Sequence, residues 1–162
     1  IISKYIFIII CLFMIKELSF NTKFGWINIR EVNERIVSIK FGKKNSKCKS
    51  KNLIKAKNQI KEYINGRLKK FNFNIFIEGT NFQKKIWREL QKIPYGKTKS
   101  YGQIAKKFNT SPRYVGNVCG LNQHLLVVPC HRVVRSDGTL GGFSSIGGIK
   151  LKKKLIYLEN NG

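Results

Sequence analysis

Acidic side chains are scarce in this chain. Asp and Glu number 8 against 32 Lys and Arg, a formal net charge of +24 over 162 residues. That imbalance points to a polyanionic partner such as DNA or RNA. The same sequence is crowded with Lys, Asn and Ile together, so codon bias in an AT-rich genome explains part of the lysine excess equally well. Histidine is rarer still, with 2 residues, and the four cysteines (Cys11, Cys48, Cys119, Cys130) form no CxxC pair. A Cys/His zinc site is therefore poorly supplied, and there is no rhythm of a disulfide framework. No metal and no cofactor is expected, and a reduced, cytoplasmic setting fits. Hydrophobic residues reach 42 % and aromatics 12 %, which excludes global disorder. The length has room for one compact domain, or for a small domain joined to a slightly larger one.

No apolar run is long enough for a confident membrane span, which takes about 20 residues. Residues 1–15 are nearly all apolar, yet no small-residue cleavage site follows them as a signal peptide requires. The only methionine is Met14, so translation starting there, with 1–13 read in by mistake, is the simplest account. A membrane or export signal is the other reading.

Along the rest of the chain, Lys23 to Ile29 and Arg35 to Phe41 alternate in polarity and predict two strands of a hairpin around Glu31–Glu34. Gly42 to Lys51 is polar and predicts an exposed loop, with Cys48 as a bystander. Leu53, Ala56, Ile60, Tyr63 and Ile64 fall at helical spacing and Gly66 supplies a stop. Phe71 to Ile77 alternates again and predicts a further strand. From Thr80 the pattern becomes helical. Thr80 or Asn81 caps a helix carrying Phe82, Ile86, Trp87 and Leu90, and Ser100 caps a short one. Asn109-Thr110-Ser111-Pro112 is a turn into a helix over Arg113–Leu121, which together make a helix-turn-helix. Glycines at 141, 142, 147 and 148 mark a loop, and a last helix runs from about Ile149 to Glu159, with Leu151, Leu155 and Leu158 toward the core. The expected fold class is α+β: a small α/β N-terminal domain over 16–79, then a mostly helical domain with the helix-turn-helix over 80–162.

One segment carries chemistry. Cys130 follows an apolar run and Pro129, and is followed by His131 and Arg132. Cationic or hydrogen-bonding neighbours lower a thiol pKa and make a nucleophilic thiolate. A free cysteine is also often just a small buried residue. On local chemistry alone the two readings are even.

Residues from about Asn81 to Glu159 resemble the active domain of the O6-methylguanine-DNA methyltransferases. The matching segments include Phe82–Leu90, Ile93-Pro94-Tyr95-Gly96-Lys97-Thr98 and Ser100-Tyr101-Gly102-Gln103-Ile104-Ala105. Arg113-Tyr114-Val115-Gly116, Asn122 and Val128-Pro129-Cys130-His131-Arg132-Val133-Val134 continue the order. The first half, with Thr22-Lys23-Phe24-Gly25, resembles the family's variable N-terminal domain more weakly.

The resemblance implies repair of double-stranded DNA that carries alkylated bases, O6-methylguanine or O4-methylthymine with no preference between them legible in the sequence, by a monomer. It implies that Cys130 accepts the alkyl group irreversibly, His131 acts on it as a base through a water, and Glu159 orients His131. It further implies that Arg113 fills the space of a flipped-out nucleotide and that Tyr101 helps rotate it and donates a proton. Asn122 would brace the turn beside the site. Thr110, Ser111 and Tyr114 would face DNA, and Val133, Phe143 and Ser144 would line the base pocket. Three features depart from the family pattern. The turn before Arg113 is two residues shorter than in many members, the loop Ser144–Gly148 is two longer, and Tyr114 replaces a small Ala. An alkyltransferase-like protein that binds lesions without accepting the alkyl group is the rival; such proteins lack the cysteine that Cys130 provides.

Overall fold

The computed structural model describes residues 15–45, 48 and 50–162. The apolar leader and part of the polar loop after Gly42 thus lie outside the described residues.

The first half is an antiparallel meander covered by one helix. Strands β1 (Lys16–Thr22), β2 (Gly25–Val32) and β3 (Arg35–Phe41) pair in sequence order. The β1–β2 turn is the two residues Lys23–Phe24, closed by the Thr22 hydroxyl donating to the Gly25 carbonyl at 2.7 Å. Asn33 and Glu34 make the second turn with both φ angles positive (47° and 60°), the geometry that suits the right-handed twist of a hairpin. Ile27, Ile29, Ile36 and Ile39 put a fully buried isoleucine face against helix α1 (Lys51–Ile64). Ser50 caps α1 by accepting from Leu53 N at 3.1 Å, and its own hydroxyl reaches the buried Glu31 carboxylate at 2.5 Å.

Two sequence expectations are corrected here. The stretch expected as one strand from Lys23 is a turn followed by β2, and an additional strand, β1, precedes it. Phe71 to Ile77 is not a strand. Its alternating burial is real, but it pairs with the sheet only at a single parallel bridge, Ile75 to Ile36. The physical reason is competition for the β3 edge. Residues 74–76 take the backbone groups of Ile36, and residues 123–125 take those of Ile39. Each visitor gets one rung, so neither extends into a ladder.

The second half follows its local signals closely. Helix α2 (Asn81–Gln91) starts at a capping box between Thr80 and Gln83. Strand β4 (Lys99–Ser100) leads into α3 (Tyr101–Lys107), which has a second capping box between Ser100 and Gln103. Ser111 caps α4 (Pro112–Gly120), where Pro112 sits in the first turn without an amide to lose. Helices α3 and α4 form the expected helix-turn-helix. Trp87 of α2 ties it down by donating its indole N–H to the Val118 carbonyl at 3.0 Å. The buried Glu89 carboxylate adds ion pairs to Lys99 (3.2 Å) and Lys107 (2.8 Å). A short 3-10 turn (Cys130–Arg132) runs into strand β5 (Val133–Val134), which pairs in parallel with β4. Helix α5 (Gly148–Asn161) closes the chain.

The isoleucine face, α1, α2, α4, the 3-10 turn and α5 share one hydrophobic cluster. Deleting a methylene-rich side chain at its centre leaves a cavity that close-packed neighbours fill only in part. Ile60→Ala, at a fully buried α1 position, is expected to lower stability by about 2–5 kcal/mol, as read by urea unfolding.

Candidate active site

The 3-10 turn delivers three consecutive side chains into the interior: Cys130, His131 and Arg132 are all buried. They do not face the same partner. Cys130 opens onto a pocket of about 850 Å³ shared with Tyr101, Arg113, Cys119, Phe143 and Ser144. His131 and Arg132 turn the other way, toward Glu159 on α5. The His131 Nε2 lies 2.8 Å from Glu159 Oε1. Arg132 donates from Nε and Nη2 to the same carboxylate at 2.8–3.1 Å, and from Nη1 to the Ile93 carbonyl at 2.6 Å. The Gly96 amide donates to Oε2 at 3.1 Å. A Cβ at Gly96, whose φ is +72°, would come within 2.9 Å of the Glu159 carbonyl, so glycine allows this approach. The Tyr63 hydroxyl of α1 completes the set by donating to Oε1.

That many donors decide the charge state of Glu159. Burial alone pushes a carboxyl up, but hydrogen bonds from His131 and Arg132 outweigh it and hold the group at about 2. Burial likewise favours the neutral form of His131 and pushes its pKa down, against the raising effect of Glu159. The Nε2–H bond to the carboxylate leaves Nδ1 as the basic nitrogen. Nδ1 is buried with no hydrogen-bond partner among the described residues.

His131 and Arg132, the neighbours whose side chains could lower the Cys130 pKa, both turn toward Glu159. Burial pushes the Cys130 thiol up, and the Asn122 side-chain N–H, 3.3 Å from Sγ, offsets this only in part. Arg132 is spent on Glu159 and gives the sulfur no cation. The ammonium that favours the ionised sulfur is that of Lys152, which acts on both Cys130 and Cys119.

Asn122 does what a brace requires. Its side chain also donates to the Val128 carbonyl at 2.8 Å and accepts from the His124 amide at 2.8 Å, fixing the approach to Cys130. Tyr101 stands at the start of α3 on the pocket wall, and burial first, then the nearby thiols, push its pKa up to about 12. Gly141 (φ +66°) permits this packing, since a Cβ there would lie 3.1 Å from the Tyr101 ring. Arg113 is exposed near the start of α4 and lines the rim, as do Phe143 and Ser144 from the glycine loop.

The remaining candidates lie off the pocket. Val133 is fully buried in β5, its carbonyl taken by Lys152 at 2.6 Å, and its side chain is not on the wall. Tyr114 is half-buried against Phe82, ring centroids 5.6 Å apart. Ser111 is occupied as the α4 cap, and Thr110 sits in the preceding turn with its amide on the Ala105 carbonyl.

Sequence reasoning assigned no functional role to Tyr63, Cys119 or Lys152. Lys152 is fully buried and donates to the carbonyls of Val133, Leu140 and Gly142 and to the Tyr101 hydroxyl (3.3 Å), so one ammonium ties β5 and the glycine loop to the Tyr101 side of the pocket. A signal for it was present: it lies two helical turns before Glu159, on the same face of α5. Among the described residues no cluster of His, Cys, Asp and Glu could hold a metal ion, and no helix is long and apolar enough to cross a membrane.

A cysteine-centred pocket backed by a His–Glu pair and roofed by a helix-turn-helix defines a class, and the comparisons agree with it. Residues 81–161 match the family described as 6-O-methylguanine DNA methyltransferase, DNA binding domain. The methylated-DNA--protein-cysteine methyltransferase of Sulfolobus acidocaldarius is 34 % identical over 146 residues, covering 86 % of this chain and 90 % of the relative. That of Methanosarcina acetivorans is 41 % identical over 108 residues, covering 65 % and 68 %. The crystal structure of Mycobacterium tuberculosis OGT in complex with DNA superposes with a TM-score of 0.81 at 29 % identity, covering 90 % and 93 %. The chain belongs to the 6-O-methylguanine DNA methyltransferase family.

Glu159 contributes stability with a definite pH dependence. Its folded pKa of about 2 lies below the ordinary 4.5, so the contribution is complete above about pH 5 and fades as pH falls toward 2. In paired urea titrations, Glu159→Gln is expected to be clearly less stable than wild type at neutral pH. The gap should close between about pH 5 and pH 2; a gap independent of pH counts against an ionised, hydrogen-bonded Glu159.

Proposed function

We propose that this protein repairs DNA by moving the alkyl group of O6-methylguanine, or of O4-methylthymine, directly onto Cys130. The observation that carries the reading is that one pocket joins the Cys130 thiol to Tyr101 and Arg113 while the His131–Glu159 pair stands behind the nucleophile.

The geometry supports a role for each group. Because burial keeps Cys130 a thiol at rest, it must lose its proton as the substrate arrives. His131, neutral and with Nδ1 unpaired, is the base for that step, acting through a bridging water, and Glu159 holds its tautomer and orientation. The sulfur then attacks the methyl carbon. An S–C bond forms, the C–O bond breaks, and its electron pair goes to guanine O6. Tyr101, still protonated with its pKa near 12, stabilises the charge that spreads over the leaving base by donating a hydrogen bond from its phenolic O–H, and the proton taken from the thiol returns from His131 through water to the released guanine. The product thioether has no leaving group, so no step regenerates the thiol. Each molecule reacts once.

The target lies inside a duplex, so the nucleotide must be flipped out at a cost of a few kcal/mol. Arg113, exposed on the second helix of the helix-turn-helix, is placed to occupy the vacated stack. Thr110, Ser111 and Tyr114 sit in or just after the turn that would meet the phosphates, with Phe143 and Ser144 at the pocket mouth. On this reading 80–162 is the unit that binds DNA and carries the reaction, and 16–79 supports it. The protein acts as a monomer on one lesion, in the compartment that holds the DNA. A lesion binder that leaves the alkyl group in place is not favoured, because Cys130 stands in the pocket.

Incubation with a duplex containing one O6-methylguanine, followed by peptide mapping, is expected to find one methyl group on the peptide holding Cys130. Cys130→Ala should abolish transfer and retain DNA binding; a methylated Cys119 or an unmodified wild type would overturn the assignment. Arg113→Ala should slow transfer at least about tenfold, the cost of a lost flipping contact worth about 1.4 kcal/mol or more. A single-stranded substrate, whose lesion is already unstacked, should recover much of that rate.

A further inference from the structure

The carboxylate behind the nucleophile has a partner from the other half of the molecule. Tyr63 lies in the last turn of α1, is fully buried, and packs its ring against Phe71 (centroids 5.1 Å apart) and edge-on to Tyr95 (5.9 Å). Its hydroxyl donates to Glu159 Oε1, the same oxygen that receives His131 Nε2. The Tyr63 oxygen is also 3.3 Å from Nε2 itself. Three groups thus meet around one carboxylate oxygen, and one of them is delivered by the N-terminal unit.

We infer that Tyr63 is a positioning residue for the transfer reaction: its hydroxyl shares the Glu159 carboxylate with His131 and so sets how basic the imidazole behind Cys130 is. The inference rests on the function proposed above. Each hydrogen bond to a carboxylate withdraws charge from it. With Tyr63 donating, Glu159 presents less negative charge to His131, the imidazolium is less stabilised, and the imidazole stays neutral to lower pH. Without the hydroxyl the carboxylate binds the imidazolium more strongly. His131 then holds its proton to higher pH and is lost as a base there. The acid limb of the rate profile must therefore move up.

The other groups acting on His131 keep their places in this comparison. Glu159 and Lys152 come from α5, Arg132 and Cys130 from its own turn, and Tyr63 from α1; Tyr95 flanks Glu159 from the turn after α2. Tyr63→Phe removes the hydroxyl and keeps the ring that packs on Phe71 and Tyr95, so the fold is preserved. The Tyr63 hydroxyl has no contact with Cys130 or the pocket wall, so an effect on the reaction must travel through Glu159 and His131.

The chain has only two histidines, which makes the test direct. His131 and His124 are followed by nitrogen-resolved NMR through a pH titration of the full chain without DNA. His124, whose Nε2 lies 3.1 Å from the Ile36 carbonyl, serves as the internal control. In Tyr63→Phe the His131 midpoint is expected to rise by about one pH unit, the size of a lost hydrogen bond to a charged group. His124 should be unmoved, and the acid limb of single-turnover methyl transfer should shift by a similar amount. A variant with a lower Tm but with the His131 midpoint and the acid limb both unchanged would overturn the proposal and leave Tyr63 a packing residue. A wild type that takes up no methyl group would overturn the proposed function and the role in transfer with it. The NMR arm would still report whether Tyr63 tunes His131.

Discussion

A single ionised carboxylate organises this molecule. Glu159 sits on the last helix, yet its two oxygens collect the imidazole of His131, the guanidinium of Arg132, the backbone of Gly96 and the hydroxyl of Tyr63. A buried charge is costly unless it is paired and hydrogen-bonded, and this one is satisfied from three other segments of the chain. Meeting that requirement brings the 3-10 turn, the turn after α2, α1 and α5 to one point. The orientation of Cys130 follows from it: with His131 and Arg132 drawn to the carboxylate on one side, Cys130 is left facing the pocket on the other.

Lys152 does the complementary work on the pocket side. Its ammonium is buried against backbone carbonyls of β5 and the glycine loop, and it reaches the Tyr101 hydroxyl. Burial pushes its own pKa down, and Cys130 and Cys119 push it back up when ionised. One helix therefore carries the anion that holds His131 and the cation that holds β5 and the glycine loop, two turns apart. The resting thiol is kept protonated by burial rather than held as a free thiolate. Such a thiol is poorly reactive toward chance electrophiles, which suits the single use proposed for it.

Features governed by contacts three or four residues away were legible in the sequence. Thr80, Ser100 and Ser111 each accept from the backbone three residues on, so the starts of α2, α3 and α4 could be read directly. The motif around Cys130 and the order of Tyr101, Arg113, Asn122 and Glu159 were legible through the family resemblance. What escaped depends on distant partners. Alternation over Phe71–Ile77 does not reveal that β3 offers it a single rung. Tyr63 and Glu159 are 96 positions apart, and Tyr63 looked like one more apolar helix position. Arg132 stood beside Cys130 in the sequence and was read as its cation, but a guanidinium goes where a buried carboxylate lies, and that carboxylate is 27 residues later.

The central claim is that the alkyl group ends on a sulfur that nothing regenerates. Counting turnovers tests it most directly: a fixed amount of protein is mixed with a growing excess of duplex carrying radiolabelled O6-methylguanine, and protein-bound label and repaired guanine are both measured. The account predicts that the two rise together and stop at one equivalent per protein molecule. Repaired guanine that continues past one equivalent, or label released as a small molecule, would contradict it.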